Sequence, residues 1–165
     1  MQPLWAPWRV AYIEAPPPGE CVFCTLPRAE GEAEERERLI LGRSAHAFVM
    51  LNRFPYNPGH LLVIPRVHEG QFTALDPEVF ADLHQLLRTS VQAVEEIYAP
   101  EGLNLGMNLG RMAGAGIADH LHYHVVPRWG GDTNFMPILG EAKSVGEHLE
   151  RSWERLRPAF SRLLA

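Results

Sequence analysis

Three histidines, His120, His122 and His124, stand at every second position in "ADHLHYHVVPRW", residues 118–129. Side chains alternate across an extended strand, so these three share one face. On a helix, positions two apart would diverge. Three imidazoles so close together repel one another if all are protonated, so some stay neutral near pH 7. A neutral imidazole is both a nucleophile and a metal ligand. The spacing leaves three readings open: a polar face or backbone-paired histidines, a metal site built from all three, or a division into one ligand, one nucleophile and one acid or base.

A second group lies in "CVFC", where Cys21 and Cys24 are the only cysteines of the chain. C-x-x-C serves a metal, a redox couple or two buried thiols. A third feature is "GRMAGAG", residues 110–116. Its glycines, Gly114 and Gly116 among them, let backbone N–H groups approach an anion without side-chain clash. The same stretch also reads as an ordinary connection.

Elements must hold these groups in place. "SAHAFVMLN" and "HLLVIPRV" read as strands, joined through the turn chemistry of "RFPYNPG". Asp76 and Pro77 open a helix whose apolar stripe is Phe80, Leu83, Leu87, Val91, Val94 and Tyr98, and "APEG" closes it. "LNLGMNLG", residues 103–110, reads as a strand interrupted by glycines, and "HLHYHVV" as another, with Leu121, Tyr123 and Val125 turned towards a core. A second helix is expected over about 144–160, with Val145, Leu149, Trp153, Leu156 and Phe160 on one side and Pro158 kinking or ending it. The charge run at 29–38 reads as a solvated loop or helix. Strands with a long helix on this length favour a two-layer α+β domain with a mainly antiparallel sheet.

The 165 residues suit one domain, with residues 1–20 as an N-terminal arm and about 140–165 as a helical extension. A net charge of −5 argues against a sequence-independent nucleic-acid binder. No apolar run reaches the length of a membrane span, and no continuous signal-peptide core opens the chain, so a cytoplasmic location is expected.

His120-Leu121-His122-Tyr123-His124-Val125-Val126 resembles the signature of the histidine triad (HIT) superfamily. "LNRFPYNPGHLLVIPRVHE" and "GLNLGMNLGRMAGAGIADH" resemble that family's central hairpin and its approach to the triad. "WAPWRVAYI" and "PRWGGDTNF" are similar to the branch that processes diadenosine polyphosphates. The resemblance implies a HIT-like two-layer fold with a mainly antiparallel five-stranded sheet, a long helix and a C-terminal helix, paired as a homodimer. It implies a nucleotide-processing enzyme that cleaves a phosphoanhydride through a nucleotidyl-histidine.

By this resemblance His122 is the nucleophile, and His124 and His60 belong to the proton network. Asn52 matches a ribose-binding position and Asn108 a phosphate contact. Phe23 matches a base-pocket position, with core packing as its other reading. Related sequences often carry a polar side chain where Gly116 and Ile117 stand here, so only backbone donation survives at Ile117. Cys21, Cys24, His68 and His120 match a structural zinc site of two thiolates and two imidazoles, which would remove His120 from catalysis. No organic cofactor is expected. The preferred function is phosphorolysis or hydrolysis of an adenine dinucleoside polyphosphate. The rivals are a nucleoside phosphoramidase or general nucleotidyl hydrolase, a nucleotide-binding sensor, and a zinc-linked redox module.

Overall fold

The structure is a computed structural model that describes residues 19–132 and 146–165. Five strands form one sheet: β1 (Ile40–Arg43), β2 (Ala47–Leu51), β3 (Leu61–Pro65), β4 (Gly102–Gly106) and β5 (Tyr123–Arg128). Their spatial order is β1-β2-β3-β5-β4, and every neighbouring pair is antiparallel. The helices are α1 (Val22–Thr25), α2 (Gly31–Glu37), α3 (Pro77–Tyr98) and α4 (Leu149–Leu163). This is the expected α+β architecture with its five-stranded antiparallel sheet.

Strands β2 and β3 are buried at every position, as their short apolar runs dictate. Helix α3 starts where Asp76 accepts the Glu78 N–H over 2.8 Å, and it ends at a left-handed Ala99. Its seam runs through Leu83, Leu86, Ser90, Ala93 and Val94. Phe80, expected on that seam, is 36% exposed and packs its ring, tilted, against His84 at 4.0 Å. The α3 residue His84 meets the Tyr123 hydroxyl over 3.1 Å, so α3 covers the sheet face that carries Tyr123, Val125, Leu61 and Val63. His124 is paired with Leu62 and belongs to the opposite face.

The triad strand begins later than the spacing predicts. Ladder pairing starts at Tyr123, so His120 and His122 lie in an extended lead-in. The cause is local: Pro65 of β3 has no N–H to donate, and Leu121 donates instead to the Glu69 carbonyl over 2.8 Å. Leu121 and Val125 are buried as expected, while Tyr123 is half-buried. Strand β4 stops at Gly106 rather than 110, and the chain turns out at Gly110, where φ is +83°.

Helix α4 starts at Leu149, not 144, and Val145 lies outside the described residues. Pro158 does not end it; the helix runs on to Leu163. Proline costs one intrahelical hydrogen bond there. Burial of Trp153, Leu156, Ala159 and Phe160 offsets that cost, since each large apolar side chain contributes about 1.5–3 kcal/mol when fully buried. The Trp153 indole N–H also donates to the Ile40 carbonyl over 2.8 Å and ties α4 to β1. The charge run forms α2 and is not wholly solvated. Glu35 is buried between Arg43 and Arg157, with the Arg157 contact at 2.7 Å.

Candidate active site

The histidine face gathers side chains from three parts of the chain. His60 precedes β3 and is fully buried. Gly59, at φ +76°, makes the turn into it, and any Cβ there would meet the Tyr98 ring at 2.7 Å. His122 and His124 come from the lead-in and start of β5, their ring centroids 5.1 Å apart.

Hydrogen-bond partners fix each tautomer, because a carbonyl only accepts and an amide N–H only donates. His122 lies with Nδ1 2.9 Å from the His120 carbonyl, so Nδ1 carries the proton and Nε2 keeps a free lone pair. His60 accepts the Tyr56 backbone N–H at Nδ1 over 3.0 Å, so its proton is on Nε2. That Nε2–H donates to His124 Nδ1 over 3.0 Å, which places the His124 proton on Nε2. One imidazole thus offers a lone pair and its neighbour offers a proton. Burial pushes the His122 pKa down. Burial, followed by repulsion from His122, pushes His124 down to about 4. Both are therefore neutral near pH 7.

His122 is only 6% exposed, covered by His124 and by Phe23 at a ring-centroid distance of 5.1 Å. Phe23 is 5% exposed and also meets His120 edge-on at 5.5 Å. That burial favours core packing over a base-pocket wall for Phe23. Asn52 lies 3.4 Å from both ring nitrogens of His60, and its oxygen accepts the Phe54 N–H over 3.0 Å. Asn108 donates to the Gly114 carbonyl over 3.3 Å, and Gly114 has φ +91°. A cleft of about 290 Å³ borders His124, Tyr56, Asn104, Gly106 and Asn108.

His120 serves a different centre. Its Nε2–H donates to the Pro65 carbonyl over 2.8 Å, leaving the Nδ1 lone pair towards the thiols. Nδ1 lies 3.4 Å from Cys21 Sγ and 3.6 Å from Cys24 Sγ, and His68 Nδ1 lies 3.4 Å from Cys24 Sγ. All four ligand atoms fall within 4.8 Å of one another. A tetrahedral ion with bonds of about 2.0–2.3 Å needs ligand separations of roughly 3.5 Å, so the donor set fits one. Burial and the neighbouring Cys21 push the Cys24 thiol pKa up, and a bound cation would favour the thiolate.

Comparison with known proteins agrees with this geometry. Residues 33–131 match the HIT domain. The chain belongs to the HIT family. This HIT chain is 34% identical to the AP-4-A phosphorylase of Mycobacterium tuberculosis, over 98% of its own length and 86% of that protein. It is 30% identical to the bis(5'-adenosyl)-triphosphatase of Dictyostelium discoideum, over 76% and 87% of the two lengths. Among solved structures it is similar to a Zn-bound histidine triad family protein from Mycobacterium smegmatis, with a TM-score of 0.66 and 28% identity over 87% of this chain and 94% of that one.

The HIT fold thus brings His60, His122, His124 and Asn52 into one cluster and Cys21, Cys24, His68 and His120 into another. Asn108 lines the cleft that His124 borders and holds the Gly114 carbonyl, while Gly116 stands in the loop that follows. The turn "RFPYNPG" holds two residues of the site that its turn chemistry does not announce. Tyr56 stacks on His60 at 4.8 Å and supplies the N–H that sets its tautomer. Buried Asn57 donates to the Pro127 carbonyl over 2.7 Å and to Asp132 over 2.6 Å, fastening the His60 turn to the end of β5. Asn104 goes unannounced too, although "GLNLGMN" alternates glycine and asparagine at every second position.

Proposed function

We propose that the protein cleaves dinucleoside polyphosphates of the Ap4A type through a nucleotidyl-histidine intermediate, by phosphorolysis or hydrolysis. His122 Nε2 attacks the α-phosphorus, and the leaving oxygen keeps the electron pair of the broken P–O bond and departs as a phosphate anion that accepts a hydrogen bond from His124 Nε2–H. Water or phosphate then releases the nucleotide. His60 holds His124 in its donor tautomer. Asn52 serves the ribose hydroxyls, and Asn108 with the Gly114–Gly116 backbone serves phosphate oxygens. The observation that carries this reading is the pair of opposite tautomers on His122 and His124. The likeness to the Mycobacterium tuberculosis phosphorylase favours phosphate as the acceptor.

Zinc is the cation that two thiolates and two imidazoles select, and it would be structural. Thiols kept for a metal suit the cytoplasm, where they stay reduced. No helix of the described residues is long and apolar enough to cross a membrane. A homodimer paired through β4 would cover that edge strand, on which Leu105 is 51% exposed. The domain acts as one unit over the chain.

Intact-protein mass spectrometry after brief exposure to diadenosine tetraphosphate tests the reading. A nucleotidyl adduct on His122 is expected, and ADP should appear only when phosphate is added. Turnover that survives His122→Ala without any adduct would overturn it. Faster cleavage of an adenosine phosphoramidate than of the dinucleotide would favour the phosphoramidase alternative.

A further inference from the structure

The group formed by Cys21, Cys24, His68 and His120 is lopsided. His120 is fully buried, whereas His68 is exposed. Cys21 Sγ lies 3.4 Å from Nδ1 of the buried histidine, and Cys24 Sγ lies 3.4 Å from Nδ1 of the exposed one. Both thiols are half-buried and unbridged. The backbone already brings them together. The Cys24 N–H donates to the Cys21 carbonyl over 2.9 Å and closes a single turn at the start of α1. Such a turn keeps its end Cα atoms within about 7 Å, and a disulfide spans about 4.4–6.8 Å. The two sulfurs lie within 4.8 Å of one another, so side-chain rotation suffices to join them. Phe23 sits on that turn between the cysteines. It is 5% exposed, and its ring lies 5.1 Å from the His122 ring and 5.5 Å from the His120 ring.

We propose that Cys21 and Cys24 are a reversible oxidation site, at which a low-molecular-weight disulfide of the glutathione class closes a Cys21–Cys24 bond and thereby slows attack by His122. The Cys24 sulfur, on the exposed side, attacks one sulfur of the small disulfide. That S–S bond breaks, and its electron pair leaves on a small thiol that takes the Cys24 proton. A mixed disulfide remains on Cys24. The Cys21 sulfur then attacks Cys24 Sγ and forms the internal S–S bond, and the second small thiol leaves with the Cys21 proton. The two cysteines are oxidised, and the small disulfide is reduced to two thiols. Sulfurs joined to each other are withdrawn from the group, so a cation held there would keep only His68 and His120. Closing the bond also draws in the turn that carries Phe23, and with it the wall packed on His122. The bond itself is independent of the nucleotidyl-histidine reading; its effect on His122 rests on that reading.

Incubation of the full-length protein with oxidised glutathione, followed by alkylation and peptide mapping by mass spectrometry, tests this. The peptide that holds residues 21–24 should lose two hydrogens and escape alkylation at both cysteines, and dithiothreitol should reverse both changes. Cys21→Ser should stop at a stable glutathione adduct on Cys24, whereas Cys24→Ser should gain far less adduct on Cys21. The rate of nucleotidyl transfer from diadenosine tetraphosphate to His122 should fall at least about tenfold in the oxidised protein and return on reduction, since a misplacement of about 1 Å can cost about 100-fold. With both cysteines changed to serine, treated and untreated protein should react alike. Failure of the bond to form, or a bond that leaves the rate unchanged, would overturn the switch. Absence of any His122 adduct in the reduced protein would instead overturn the nucleotidyl-histidine reading, so the two failures are distinguishable.

Discussion

His60 Nε2 lies 3.0 Å from His124 Nδ1, and the backbone N–H of Tyr56 occupies the other nitrogen of His60. The proton order along this row is therefore fixed by a main-chain group outside it. His60→Ala removes the partner of His124 Nδ1 and lets that ring change tautomer. Loss of a positioned proton donor is expected to lower kcat by about 10²–10⁴-fold. His60→Gln, which can still donate, should restore part of the rate. Steady-state kinetics with both variants checks this.

The depressed pKa of His124 sets a pH dependence for stability. Its folded value is about 4, against about 6.5 for an unperturbed histidine. Between those values the unfolded chain binds a proton that the folded chain refuses. Stability from this group is therefore complete above pH 6.5 and lost as pH falls to about 4. Urea midpoints measured across pH 4–7 should decline towards acid, and His124→Asn should flatten the decline.

His122→Asn removes the attacking lone pair while keeping a polar side chain of similar reach. Activity should fall by roughly 10³-fold or more, and the adduct should vanish from the mass spectrum. Nucleotide affinity, read by calorimetry, should change far less than the rate does.

The Cys21, Cys24, His68 and His120 centre should carry one zinc per chain, measured by elemental analysis of freshly purified protein. Chelation, or Cys24→Ser, should lower the thermal midpoint by about 10 °C, given 2–4 °C per kcal/mol for a chain of this size. Kinetics should suffer as well, because Phe23 stands between the two cysteines and packs on His122.

Glu35 is 7% exposed and joins Arg43 to Arg157. Glu35→Ala leaves two partly buried guanidinium groups without their carboxylate. A loss of about 3–5 kcal/mol is expected, from a urea titration. The adduct should still form on His122, since this ion cluster lies with α2, β1 and α4.

Much of this was legible from the chain alone, for identifiable reasons. The alternation 120-122-124 survives any error in the strand boundary, because an extended lead-in alternates as a ladder does. The α3 cap was written in Asp76-Pro77. Glu35 was not legible: its partners Arg43 and Arg157 are remote in sequence, and a charge run looks solvated until they arrive. Pro158 does not end α4, because packing of Trp153 and Phe160 outweighs a local preference. Tyr56 acts through its backbone N–H, which no residue type announces. The hold of Arg128 on the Asn104 oxygen joins residues twenty-four positions apart.

The acceptor that holds the His122 proton on Nδ1 is the peptide oxygen of residue 120, not the side chain of that residue. Any substitution at 120 would remove one side chain of the candidate metal group yet leave this oxygen in the chain. Loss of that group in descendants would therefore remove a brace without disturbing the contact that leaves His122 Nε2 its lone pair, so inheritance can discard the one and retain the other.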